Sequence, residues 1–143
     1  MSGTHGQLRV TLVAPSGSGK STAARILQQH FEQGGLRVQI IKLAAPLYRL
    51  QARYYEEAQR RIGEESQDQP LLEQIAMALR SINPNSLAES FGQQLQICTA
   101  DVVINDDLRD DVTDWPYLCD RGFQVIKVVT APALRNHRLR QRN

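Results

Sequence analysis

Cysteine is scarce in this chain, lysine nearly as scarce, and aromatic residues make up only 6%. The two cysteines, Cys98 and Cys119, have no CxxC spacing and no histidine pair near them. That speaks against metal and redox sites; two reduced, partly buried thiols of a cytoplasmic protein are expected instead. His5, His30 and His137 have no consistent spacing to one another or to the cysteines, so none reads as a ligand. No apolar run approaches the ~18 residues of a membrane span. The opening Met1-Ser2-Gly3-Thr4-His5-Gly6 does not read as a signal peptide. An excess of one charge is missing too. Seventeen basic residues face 15 acidic ones, a net +2, too balanced to imply a nucleic acid or a membrane surface as partner.

What is present is an ordinary globular composition. Hydrophobic residues reach 41% with 9 glycines over 143 residues, which excludes disordered, collagen-like and coiled-coil chains and fits one domain. A chain of this size hides roughly 68–70% of its unfolded surface, enough for a core without staples. Within the basic set, Lys20, Lys42 and Lys127 are the only lysines and the rest are arginine. The planar guanidinium suits phosphate and carboxylate; a GC-rich genome gives the same bias, and composition leaves both causes open.

Short apolar runs rich in β-branched residues recur at Leu8–Val13, Arg37–Leu43, Asp101–Asn105 and Phe123–Val129. Bounded by turn signals, they are expected to be buried parallel strands. Between the first two, Ala23, Ile26, Leu27 and Phe31 share one face of a helix that starts at Lys20 and stops at Gly34-Gly35. The stretch from Pro46 to Thr99 reads as helices only. Leu47, Leu50, Tyr54, Ala58 and Ile62 are expected on one face of the first. Pro70 opens a second, with Leu71, Leu72, Ile75, Ala76 and Leu79, and Asn83-Pro84 restarts a third with Leu87, Phe91 and Leu95. The expected fold is therefore α/β: a parallel sheet of four visible strands flanked by helices, one domain over residues 1–143, with a helical insertion at about 46–99 between strands 2 and 3.

Ala14-Pro15-Ser16-Gly17-Ser18-Gly19-Lys20-Ser21-Thr22 follows the first strand and opens the first helix. It fits the phosphate-loop pattern G-x-x-x-x-G-K-[ST] with Ala14 in place of the first glycine. Backbone N–H groups must turn inward around a polyphosphate, which requires freedom at Gly17 and Gly19 and a helix N-terminus behind them. In that pattern Ser16 to Thr22 hold the nucleotide, Lys20 reaches the β- and γ-phosphates, and the Ser21 hydroxyl ligates Mg2+. The alternative is a Gly/Ser-rich turn that caps a helix.

The third strand ends in Asn105-Asp106-Asp107. An acid there stands beside the Mg2+ held by Ser21, a role assigned to Asp107. For Asp106 that role and a place in a solvated acidic turn weigh alike, with Asp110, Asp111 and Asp114 close behind. After the fourth strand Pro132 can open a helix, from about residue 132 to 143, on which Arg135, Arg138 and Arg142 recur at i+3 and i+4. Three guanidiniums on one face suit a polyphosphate, as clamps on a transferring phosphoryl group. A basic helix end compensating its own dipole is the other reading.

Taken together, these segments resemble the P-loop nucleoside monophosphate kinases, and more specifically the phage-type deoxynucleoside monophosphate kinases and their bacterial relatives. Leu43-Ala44-Ala45-Pro46-Leu47-Tyr48-Arg49 is similar to that family's [FL]-A-x-P-L segment. Leu71-Leu72-Glu73-Gln74-Ile75, Arg80 and Asn83-Pro84 resemble its leucine-rich helix leading to an arginine and a proline. Asp107-Leu108-Arg109 and Gly122 to Val128 resemble its D-x-R stretch and later glycine-led strand. The family's aromatic residue after the proline is Leu87 here, and its second-helix glycine is absent at Ile75-Ala76-Met77.

The resemblance implies a P-loop NTPase-type sheet, an insertion that binds the monophosphate, ATP and Mg2+ as cofactors, and a cytoplasmic enzyme. It implies Arg49, Arg80 and Arg109 for the acceptor phosphate. Lys20, Asp107, Arg109 and the lid residue Arg138 become catalytic, and Arg135 a nucleotide contact. It also implies a fifth strand and a closing helix beyond the lid arginines; either the sheet has four strands, or a partner chain completes it, or the chain continues past Asn143, the last being the expectation. The expected activity is ATP- and Mg2+-dependent phosphoryl transfer to a nucleoside or deoxynucleoside monophosphate. A dephospho-coenzyme A kinase-like enzyme is the nearest alternative. A nucleotide-binding switch or regulatory ATPase is a second, although the chain has neither an N-K-x-D nor an L-S-G-G-Q motif. A third is a binding protein that holds nucleotide without transfer.

Overall fold

The computed structural model describes residues 6–15, 19–64, 66–108, 112, 114–129 and 140. Among them the chain runs β1 (Leu8–Val13), α1 (Lys20–Gln33), β2 (Val38–Ile40), α2 (Ala45–Glu57), α3 (Gln69–Ile82), α4 (Ser86–Ile97), β3 (Val102–Asn105), α5 (Asp114–Asp120) and β4 (Gln124–Lys127). It divides into two compact units, one of Met1–Lys42 with Ile97–Asn143 and one of Leu43–Gln96.

The first unit is α/β. Its four strands form one sheet in the order β2-β3-β1-β4, every pair parallel, with Leu8 opposite Val102, Val10 opposite Gln124 and Val38 opposite Val102. Alternation along each strand sorts the side chains. Val10, Leu12, Val102 and Ile104 point to one face, where Ala24, Leu27 and Phe31 of α1 cover them. Arg9, Thr11, Val103 and Asn105 point to the other. There Arg9 Nη1 donates to the Arg121 carbonyl just after α5, at 2.7 Å. The link from β1 to β2 runs one way along the sheet and the link from β3 to β4 runs the other. Right-handed crossovers therefore send α1 and α5 to opposite faces. The carboxyl ends of β1 and β3 are therefore the switch point of the sheet, the place where open parallel sheets generally bind ligands.

The strands are shorter than the apolar runs suggest. Arg37 and residues 41–43 lie outside β2, although Ile41 N still donates to Ile104 O at 3.0 Å. Helix α5 was not legible at all. It spans seven residues and buries Leu118 alone, too short for a 3.6-residue period to declare itself. Because Leu118 takes the inward position, Cys119 is exposed rather than partly buried, while Cys98 is half-buried and donates to Gln39 Oε1 at 3.1 Å.

The second unit is helical. Ala44, Leu47, Leu72 and Ile75 form its buried cluster, with Tyr48, Leu71 and Leu79 packed on it. The face expected for α2 is corrected here. Leu50 and Tyr54 are 36% and 58% exposed, whereas Gln51 is buried. Helix α2 also ends at Glu57, so Ala58 and Ile62 lie beyond it. Gln51 is inward because it satisfies backbone: its Nε2 donates to Ser66 O at 2.9 Å and its Oε1 accepts from Asp68 N at 2.8 Å. Asp68 in turn caps α3, accepting from Leu71 N at 3.2 Å, and takes the Tyr55 hydroxyl at 2.7 Å. Apolar periodicity is blind to a buried amide used this way.

Candidate functional site

Parallel strands bring all their carboxyl ends to one edge, so Ala14, Lys42, and Asp106 with Asp107 follow the strands at the same edge. At the end of β1 the chain reaches Gly19, which has φ 79° and ψ 32° and stands at the N-cap of α1. A side chain in that left-handed conformation costs roughly 1–2 kcal/mol, which is why glycine belongs there. Among the described residues no side chain caps this helix, and no acid lies in its first turn, an arrangement in which a helix N-terminus suits an anion. Lys20 is half-buried in that first turn, with Ser21 and Thr22 exposed beside it. The Lys20 ammonium makes no ion pair or hydrogen bond with another described residue. Ser16, Gly17 and Ser18 lie outside the described residues.

Behind β3 the acidic pair is buried, not a solvated turn: Asp106 is 5% and Asp107 9% exposed. The Asp106 carboxylate faces Lys42, whose Nζ is 3.2 Å from Oδ1 and 3.5 Å from Oδ2, the latter as a hydrogen bond. Oδ1 itself is buried and accepts no hydrogen bond among the described residues. Asp107 Oδ1 accepts from Asn105 Nδ2 at 2.7 Å. Asn105 also donates to Ile41 O at 3.0 Å and accepts from Thr11 Oγ1 at 2.9 Å.

Asp106 and Asp107 are successive buried carboxylates with the oxygen chemistry that a hard divalent cation takes, and one Asp106 oxygen accepts no hydrogen bond among the described residues. Beyond Asp107, which is described, the expected site residues divide. Arg49 on α2 and Arg80 in the last turn of α3 belong to the helical unit, both exposed and neither bonded to another described residue. Arg109, Arg135 and Arg138 lie outside the described residues, as does the expected helix from Pro132 apart from Arg140.

Sequence reasoning overlooked Lys42, Asn105 and Thr11. The signals were available: one of three lysines near the end of the second apolar run, an amide closing an otherwise apolar strand, and a hydroxyl inside the first apolar run. Thr11 and Asn105 stand opposite each other in the β1–β3 register, which only strand pairing reveals. The chain matches no protein-family model, and no curated protein is significantly similar to it in sequence.

Proposed function

We propose that the chain is an ATP- and Mg2+-dependent phosphotransferase of the P-loop type, with a nucleoside or deoxynucleoside monophosphate as acceptor. The observation that carries this reading is the left-handed Gly19 opening the helix that follows β1, with Lys20 in its first turn unpaired among the described residues. Backbone donors and a lysine there suit a β–γ phosphate pair. Phosphoryl transfer asks little covalent work of a protein; positioning and charge stabilisation supply the rate.

In this reading Ser16 to Thr22 hold the donor triphosphate and Lys20 bears on the charge of the transferring group. Ser21 and Asp107, joined by Asp106, would hold Mg2+, which when bound neutralises phosphate oxygens. Lys42 holds the Asp106 carboxylate in place, its Nζ 3.2 Å from Oδ1. Arg49, Arg80 and Arg109 are proposed for the acceptor phosphate, Arg135 for the nucleotide and Arg138 for catalysis. The acceptor class rests on the resemblance of residues 43–49, 71–84 and 107–109.

The test is release of ADP from ATP with Mg2+ present, screened against the ribo- and deoxyribonucleoside monophosphates and dephospho-coenzyme A. Acceptor-dependent turnover that falls by about 100-fold or more in Lys20→Ala supports the reading. Turnover unchanged in Lys20→Ala, or hydrolysis indifferent to every acceptor, overturns it.

A further inference from the structure

Asn105 is the last residue of β3 and is fully buried, at 0% exposure. A buried amide is costly unless its donors and acceptor are used, and here they are used on three different chain segments. Its Oδ1 takes the Thr11 hydroxyl of β1 at 2.9 Å. Its Nδ2 gives one hydrogen to Ile41 O, just past β2, at 3.0 Å and the other to Asp107 Oδ1 at 2.7 Å. The amide has one orientation available. Ile41 O and the Asp107 carboxylate are both acceptors, so only the NH2 end can face them, and the carbonyl end meets the hydroxyl. The side chain thereby ties β1, the residue just past β2 and the end of β3 to one oxygen of Asp107, through a charge-assisted bond at the short end of its range.

We propose that Asn105 is a positioning residue: it fixes the plane of the Asp107 carboxylate so that the pair Asp106–Asp107 presents a divalent cation with a preformed edge. This rests on the nucleotide-binding reading above and adds to it a residue outside the phosphate loop. Asn105 need not touch nucleotide or metal. It acts through Asp107, as partners of metal-ligating carboxylates do. Thr11 is the third member, locking the far end of the amide without contact to Asp107.

Asn105→Asp keeps the shape but cannot donate to both Ile41 O and Asp107. Thr11→Val keeps the shape of Thr11 and removes only the hydroxyl. The experiment is titration of the full chain with Mn2+ in the presence of ADP, read by electron paramagnetic resonance, beside ADP binding in EDTA. For Asn105→Asp, Mn2+ affinity in the ADP complex is expected to fall by about 10–100-fold, the range for partners of metal ligands. Metal-free ADP affinity is expected to hold. Thr11→Val should move Mn2+ affinity in the same direction by a smaller factor, and it carries the test alone if Asn105→Asp fails to fold. Unchanged Mn2+ affinity in the folded variants overturns the proposal while leaving nucleotide binding intact. Loss of metal-free ADP affinity in parallel with Mn2+ affinity also overturns it, since that marks general damage. A wild-type chain that binds no ADP overturns the nucleotide reading itself, and this proposal with it.

Discussion

Lys42 Nζ stands 3.2 Å from Asp106 Oδ1, and the two partners are unequally covered: the carboxylate side chain is 4% exposed and the lysine 41%. The pair joins the residue two past the end of β2 to the first residue past β3, so it fastens the carboxyl edge of the sheet. Its asymmetry predicts which partner is the costlier to lose. Lys42→Met strands a buried charge and should destabilise by about 2–4 kcal/mol. Asp106→Asn leaves an ammonium that can turn to water, and should cost about 1 kcal/mol. Urea unfolding of the two variants checks this; equal costs would contradict the ordering.

Gln51 makes the opposite of the usual core argument. Replacing it with leucine adds apolar area at a buried site but leaves Ser66 O and Asp68 N without their partner. Two unsatisfied backbone groups cost about 1–3 kcal/mol each. Gln51→Leu should therefore lower the melting temperature despite the gain in hydrophobicity, as thermal denaturation followed by circular dichroism can show.

The end of α2 offers a stabilising change. Gln59 has φ 60°, and Arg60 N donates to Tyr55 O at 2.9 Å while Gln59 N donates to Glu56 O at 3.0 Å. This is the left-handed helix stop in which glycine is preferred. At the end of α1 the same position is Gly35, with φ 84°. Gln59→Gly should stabilise the chain by about 1 kcal/mol, since a non-glycine residue pays roughly that for the conformation. A lower melting temperature would count against it.

Tyr55 predicts an alkaline effect. Its hydroxyl donates to Asp68 Oδ2 at 2.7 Å, and that hydrogen bond, with the charge of Asp68 and some desolvation, raises its pKa above the ordinary 10.0. The protonated phenol is the form favoured by folding. Its contribution is complete below the unfolded pKa near 10.0 and disappears as pH rises through the higher folded value. The stability difference between wild type and Tyr55→Phe should thus shrink as pH climbs past 10.0. Phenolate absorbance of the folded chain should show one late-titrating tyrosine that the variant lacks.

Much of the fold was legible in particular residues. Val10, Leu12, Val102 and Ile104 are buried as their apolar runs demand, Lys20 begins α1, and Gly34-Gly35 ends it. Leu72, Ile75, Phe91 and Leu95 are buried where helical spacing puts them. The inward face of α2 was not legible, because Gln51 is buried for its hydrogen bonds rather than its hydrophobicity. Asp106 and Asp107 read from sequence as acids behind a strand; their burial depends on neighbours 64 and 94 positions away along the chain, through Lys42 to Asp106 and Thr11 to Asn105.

The sequence by itself determined the four strands, the helices between the first three of them and the glycine-lysine pair behind β1, because backbone freedom, periodicity and local capping act within a few residues. Strand order lay beyond it. Only tertiary pairing set β1 between β3 and β4, put Thr11 opposite Asn105, and brought Lys42 to Asp106. The physical reason is that a buried polar group must find its partner wherever the fold delivers one, and that partner carries no mark in the local sequence.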